Sequence, residues 1–293
     1  MPSAWRRQSR GIPRPFRDDA VMRGPAERIA PGCVRIRFGG APPQNPMDAP
    51  TRAWLTDLLT TLRTDADLRV LVLAGAGDSF CIGNDITELA GLERGGAYKL
   101  FNEWMQLTAA VRALPAAVIA QVSGYALGGG LELALSCDLR IASETAKLGC
   151  TAINFGLVFG SYSLSRCLPE HVAKELIFTG REVSGREALA LGLVNAAVPD
   201  EELEGATTRM ALEIANKPKR ALEHAKSLVT RAQELGRAEH ETFQRLAFAE
   251  LAETAEHAGA VSRFLSRGAR DESDSHRQHD GDTALPVDGG TRR

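Results

Sequence analysis

Apolar positions along the chain switch between two periods. Trp54, Leu55, Leu58, Leu59 and Leu62 recur at helical spacing, so residues 51–64 predict an amphipathic helix. Val70 to Ala74 is a continuous apolar run closed by Gly75, the pattern of a strand buried on both faces. Cys33–Phe38 reads as a short strand ahead of the turn-rich Gly39-Gly40-Ala41-Pro42-Pro43. A helix over about 97–113 carries Phe101, Trp104 and Met105 on its apolar side and stops before Pro115. Ala117–Val122 is another buried strand. Gly128–Cys137 opens on three glycines and becomes a Leu/Ala-rich helix, and Asp138–Ala142 returns to strand. From about 171 to 267 the pattern is helical, broken at Gly180, Gly192, Pro199 and Pro218. The layout is α/β, with βαβ units followed by a helical C-terminal third.

The two ends carry no such periodicity. Residues 1–32 hold seven arginines, three acids and prolines at 2, 13, 15, 25 and 31, and are expected to be a disordered basic tail. The prolines argue against the amphipathic helix of a mitochondrial presequence. Residues 268–293 are expected to be a second disordered tail. Between them, the 44% apolar content is enough for a real core, built mainly from Ala, Leu and Val because aromatics are only 5%. Basic and acidic residues nearly balance, 35 against 37, which argues against a nucleic-acid partner. No run of about 18 apolar residues exists, so no membrane span is expected. The five cysteines, at 33, 81, 137, 150 and 167, form no CxxC pair. Free thiols, no metal site and a cytoplasmic location are the expectation.

Two segments carry candidate chemistry. Asp78-Ser79-Phe80-Cys81-Ile82-Gly83-Asn84-Asp85-Ile86 follows the strand at 70–74 and offers main-chain N–H groups to a ligand. An Asp- or Asn-capped tight turn accounts for it about as well. Gly124-Tyr125-Ala126-Leu127-Gly128-Gly129-Gly130-Leu131-Glu132-Leu133-Ala134 joins a strand to a helix start, where unsatisfied N–H donors favour an oxyanion or phosphate. It is neither a P-loop nor a dinucleotide fingerprint. Glu132 lies in the first turn, where a carboxylate ordinarily offsets the helix dipole. Its neighbours Leu131 and Leu133 point instead to a buried carboxyl suited to moving protons near neutral pH.

Taken in order, Phe-Cys-x-Gly-x-Asp-Ile at 80–86 and Gly-Tyr-Ala-x-Gly-Gly-Gly-x-Glu-Leu-Ala-x-x-Cys-Asp at 124–138 resemble the enoyl-CoA hydratase/isomerase family, the crotonases. Arg140–Ser143, Asn154–Leu157, Phe178–Gly180 and Ala188–Val194 extend the resemblance over roughly 33–267. It implies a crotonase-like spiral of ββα/βαβ turns at 33–200 and a helical trimerisation region at 201–267, assembled as a homotrimer or dimer of trimers. It also implies an acyl-CoA thioester substrate, fatty-acid-type metabolism and no metal or other cofactor, CoA being part of the substrate. The family's oxyanion hole maps by motif position onto the backbone N–H groups of Asn84 and Gly129, with Glu132 as acid/base. Such donors are worth about 3–4 kcal/mol each by analogy with other oxyanion holes. Phe80, Cys81, Ile82, Gly83 and Gly128 are the implied substrate-binding neighbours.

The chain also departs from the family pattern. The second hydratase glutamate closes a Gly-x-x-Glu segment, where this chain has Ala152. A later isomerase position falls in Val158-Phe159-Gly160-Ser161-Tyr162, which holds no acid and lacks the usual proline. The resemblance therefore implies enoyl-CoA hydration first, with Δ3-Δ2 isomerisation, acyl-CoA decarboxylation or a non-catalytic acyl-CoA-binding role as alternatives. Ala152 and Tyr162 are carried as substrate-binding positions. Tyr162, Asn154 and Cys150 are also candidate substitutes for the missing carboxyl, although packing roles are the ordinary reading for each. Lys226 and Arg267 are weak phosphate candidates. His171, His224, His240 and His257 have no paired acid motif, and Asp138 and Arg140 are expected to lock the fold.

Overall fold

The computed structural model describes residues 26–39 and 44–266. Its main sheet has six strands in the order β1-β2-β3-β4-β6-β9. These are β1 (Ala26–Ala30), β2 (Cys33–Phe38), β3 (Val70–Gly75), β4 (Ala117–Val122), β6 (Leu139–Ser143) and β9 (Ala196–Val198). β1 pairs antiparallel with β2, and the remaining neighbours are parallel. A smaller sheet, β5 (Tyr125–Leu127), β7 (Lys147–Gly149) and β8 (Glu182–Ser184), stands apart from it.

Alternation along the strands gives each face its own core. Leu71 and Leu73 of β3 join Ile36, Phe38, Val118 and Ala120 on one face. There they meet α1 (Ala49–Leu62) and α3 (Arg94–Arg112), which supply Leu55, Leu59, Trp104 and Leu107. Val70 and Val72 point the other way and pack with Cys33, Ile119 and Ile141 against Leu203 and Ala211 of α8 (Leu203–Ala215). Burial on both faces is why these strands read as unbroken apolar runs. The remaining short helices are α2 (Ile86–Leu89), α4 (Gly129–Ser136), α5 (Ser161–Cys167), α6 (Glu170–Thr179) and α7 (Gly185–Leu191).

The described residues fall into two compact units, one closing at Lys226 and the next opening at Ser227. The second contains α10 (Arg237–Ala252) and a helix over 255–266; α9 (Lys219–Arg231) spans the boundary.

Three expectations are corrected. Residues 26–30 are not tail: they pair with β2, and Glu27 reaches the buried Arg35 at 2.9 Å. The rest of the N-terminal tail, the turn residues 40–43, the C-terminal tail and Arg267 lie outside the described residues. The stretch from 171 is not wholly helical, because β8 and β9 occupy the gaps between α6, α7 and α8. Three-residue strands are too short to set an alternation against the surrounding helical pattern. Finally, the chain from 201 is helical as expected, but α8 packs on the sheet, and the boundary between the two compact units falls at Lys226/Ser227 instead of at residue 201. Asp138 and Arg140 lock the fold as expected. The Asp138 carboxylate accepts the Val118 amide at 2.7 Å, and Arg140 donates to the carbonyls of Leu193 and Cys137.

Candidate active site

The two glycine-containing segments lie side by side. The Cys81 amide donates to the Tyr125 carbonyl at 2.8 Å, and the Leu127 amide donates back to the Cys81 carbonyl at 2.9 Å. This short parallel ladder carries the chain at Gly83 against the start of α4. A Cβ at Gly83 would sit 3.0 Å from the Gly129 nitrogen, and φ there is +91°, so a side chain is excluded by both space and conformation. Asn84 and Gly129 line the same cavity. Among the described residues neither main-chain N–H has an acceptor. Gly129 is the first residue of α4, where a helix leaves its donors unpaired.

Side chains behind this pair hold it in place. Trp104 lies against Gly129, where a Cβ would come 2.4 Å from the indole ring. Its Nε1–H donates to Asn84 Oδ1 at 2.6 Å. Arg52, 2% exposed, spans Glu88 at 2.9 Å, Glu103 at 2.8 Å and the Met47 carbonyl at 2.6 Å, and touches Asn84 Oδ1 at 3.3 Å. Its guanidinium also lies 5.8 Å from the Trp104 ring centroid.

The cavity measures about 810 Å³. Its walls are mainly apolar, with Leu100, Phe101, Trp104, Phe155 and Phe159 prominent. Phe159 meets Phe101 and Trp104 edge-on, with centroids 5.7 and 6.1 Å apart. Among the described residues, Asp85 and Glu182 are the charged side chains on the wall, and no cation lines it.

Glu132 is 4% exposed and lies off this wall. Its Oε1 accepts the Ser163 hydroxyl at 2.5 Å and an Arg112 N–H at 3.2 Å. Oε2 is buried without a partner; a Cβ at Gly160 would meet it at 3.4 Å. Burial raises the carboxyl's pKa above the ordinary range, outweighing the opposing pull of Ser163 and Arg112.

The other expected site residues divide. Ile82, Gly128 and Ala152 line the cavity, as does Asn154, and Gly83 forms the close approach just described. Phe80 does not line it: its ring is fully buried, edge-on to Phe38 at 5.2 Å. Cys81 is also fully buried, its thiol pushed up to about 12 by desolvation, so it contributes main chain only. Tyr162 is 58% exposed, and its hydroxyl accepts from Arg166 at 2.7 Å, away from the cavity. Cys150 donates to the Phe159 carbonyl at 2.9 Å, and burial holds its thiol at about 11. Lys226 pairs with Asp138 at 2.8 Å, which commits it to the fold. Trp104, Arg52, Arg112, Ser163 and Glu182 were not singled out by the sequence, where each fits an ordinary helix or strand position.

A six-stranded sheet carries two loops whose unpaired amides border one mainly apolar cavity. The sequence profile described as enoyl-CoA hydratase/isomerase matches residues 29–271, and the chain belongs to that family. It is 42% identical over 165 residues to the mitochondrial enoyl-CoA hydratase domain-containing protein 2 of Bos taurus, an alignment covering 55% of this chain and 56% of that protein. It thus spans about half the length of the curated relatives it matches first. A relative named "Probable enoyl-CoA hydratase" from Mycobacterium bovis is 35% identical over 220 residues, covering 73% of this chain and 84% of the other. The crystal structure of an enoyl-CoA hydratase from Bacillus anthracis superposes with a TM-score of 0.81 at 30% identity, covering 84% and 97% of the two chains, so the fold is crotonase-like. Among the described residues no helix is long and apolar enough to cross a membrane, and no group of three or more His, Cys, Asp or Glu is placed to hold a metal ion.

Proposed function

We propose that this chain binds an acyl-CoA thioester with its carbonyl oxygen between the amides of Asn84 and Gly129, and hydrates an enoyl group through an enolate. One observation carries the reading: two unpaired main-chain donors from separate loops border one cavity, with a buried carboxyl in the same helical turn as one of them. Negative charge develops on the thioester oxygen as the enolate forms, and fixed N–H dipoles stabilise that state more than the ground state. Glu132, its carboxyl raised by burial, exchanges the proton. CoA is part of the substrate, and no other cofactor is proposed. The apolar walls, with Asp85 and Glu182 as the charged groups among the described residues, favour a neutral, bulky acyl group over one ending in a carboxylate. The test is loss of enoyl absorbance with crotonyl-CoA and cinnamoyl-CoA, repeated with Glu132→Gln. Turnover by the native chain that the variant lacks supports the reading, and equal rates overturn it.

A second reading rests on Ala152 and on the position of Glu132 off the wall. A double-bond shift needs one carboxyl that reaches two carbons, and a decarboxylation needs mainly the oxyanion hole and a later proton. Conversion of a 3-enoyl-CoA to the 2-enoyl isomer, or CO₂ release from a malonyl-type thioester, would replace hydration as the assignment. Tight acyl-CoA binding without any turnover would favour a non-catalytic role.

Assembly as a homotrimer or dimer of trimers is part of the same proposal. The second unit exposes Leu246, Phe248, Phe264 and Leu265, an apolar set that a monomer would leave in water. Light scattering giving about three or six times 31.5 kDa is expected, and a monomer would remove this part. The free cysteines favour a reducing compartment such as the cytoplasm.

A further inference from the structure

We infer that Ser163 and Arg112 are positioning residues that keep Glu132 Oε1 permanently in the acceptor role, so that the carboxyl carries and exchanges its proton only through Oε2. This rests on the reading of Glu132 as the acid/base.

Donor and acceptor capacity carry the argument. An arginine N–H can only donate. One terminal nitrogen of Arg112 reaches Ser163 Oγ at 2.7 Å, Ser136 Oγ at 3.1 Å and Glu132 Oε1 at 3.2 Å. Ser136 spends its own proton on the Glu132 main-chain carbonyl at 2.8 Å. Ser163 accepts from Arg112, so its proton points to Oε1, at 2.5 Å. Oε1 therefore receives two donors, and a proton placed on it would expel at least one. Oε2 has no such partner. Protonation at Oε2 leaves every existing bond intact, and it is the only protonated form that does.

The surroundings are consistent with this. α4 meets α3, α5 and β5. Arg112 of α3 is the cation facing the carboxyl, and Cys150, near Gly160 on the Oε2 side, keeps its proton on the Phe159 carbonyl. Arg166 of α5 is engaged with Tyr162, and Tyr125 of β5 lies at the cavity wall. Ser163 and Arg112 both bond the Glu132 carboxyl, and neither lines the cavity.

The test follows the carboxyl itself and needs no turnover. Protein labelled with ¹³C at glutamate Cδ is titrated by NMR, the Glu132 signal being the one absent from Glu132→Gln. Ser163→Ala removes one donor to Oε1 and fits the space of the native side chain. It is expected to raise the Glu132 midpoint by about one pH unit, with Arg112→Met raising it at least as far and Arg112→Lys restoring part of the shift. The acidic limb of kcat/KM moves by the same amount, about a tenfold loss on its low-pH side. A midpoint that stays put in both Ser163→Ala and Arg112→Met overturns the inference, even if stability falls. The two readings separate cleanly: a shifted midpoint in a protein with no turnover keeps the clamp and removes the catalytic role, and Glu132-dependent turnover with an unmoved midpoint does the reverse.

Discussion

Arg52 and Arg112 leave two helices that pack together, and each holds one half of the site, yet they do so with different chemistry. Arg52 is closed off from water and faces two carboxylates, a carbonyl and an amide oxygen. Every direction of its fork is matched, and the product is a fixed Asn84 loop. Arg112 ends α3, is 37% exposed, and meets one carboxylate and two hydroxyls through a single nitrogen. The hydroxyls pass its influence to Glu132 without neutralising it fully, and one carboxyl oxygen stays unpaired. The first arrangement fixes geometry and the second sets a protonation state. A buried cation surrounded by ions is hard to remove without harming the fold, whereas one that acts through hydroxyls can be altered with the fold intact.

The sharpest break of this contrast is Glu132→Gln. Turnover is expected to fall by about 10²–10⁴-fold while the fold persists. The raised carboxyl favours the native state fully below the ordinary carboxylate range and loses that contribution as pH rises through the folded value. The variant should therefore gain stability relative to the native chain as pH rises above the ordinary carboxylate range, as followed by urea titration; a constant difference across pH would contradict the burial assigned to Glu132. Arg52→Leu strands Glu88 and Glu103 and should cost about 3 kcal/mol, or about 6–12 °C in Tm. A loss below about 1 kcal/mol would erase the distinction between the two arginines. Gly129→Ala drives a methyl into the Trp104 ring and is expected to cost about 1–3 kcal/mol while weakening acyl-CoA binding, read by calorimetry. Unchanged affinity would show that the amide at 129 is not a contact. Trp104→Phe keeps most of the packing but removes the shorter donor to Asn84 Oδ1 and leaves it only Arg52 at 3.3 Å, at about 1 kcal/mol. Lys174→Ala, in an exposed i,i+4 pair, should change stability by less than about 0.5 kcal/mol and serves as the reference.

Much of this was legible in the sequence because main-chain geometry leaves residue-level traces. Unbroken apolar runs marked β3 and β4, and the glycines at 83 and 129 marked places where only a bare backbone fits. Glu132 showed its burial through its leucine neighbours. What stayed hidden depends on distance between segments. Phe80 and Cys81 sit in the right motif, yet both side chains are buried in the core and only their backbone lies near the site. Arg112 reads as a cation compensating a helix C-terminus, and nothing local says that it reaches residues 132 and 163. Ser163 is an ordinary helix residue until α5 is docked on α4. Strand β1 was hidden by the Arg- and Pro-rich segment that precedes it.

The lone unpaired oxygen of Glu132 has a stereochemical consequence. On the proposed reading of Glu132 as the acid/base, a proton carried on that one atom would be added to or removed from a single face of the flat enolate. In deuterated water, product formed by this chain should carry its label at one prochiral position of the α-carbon.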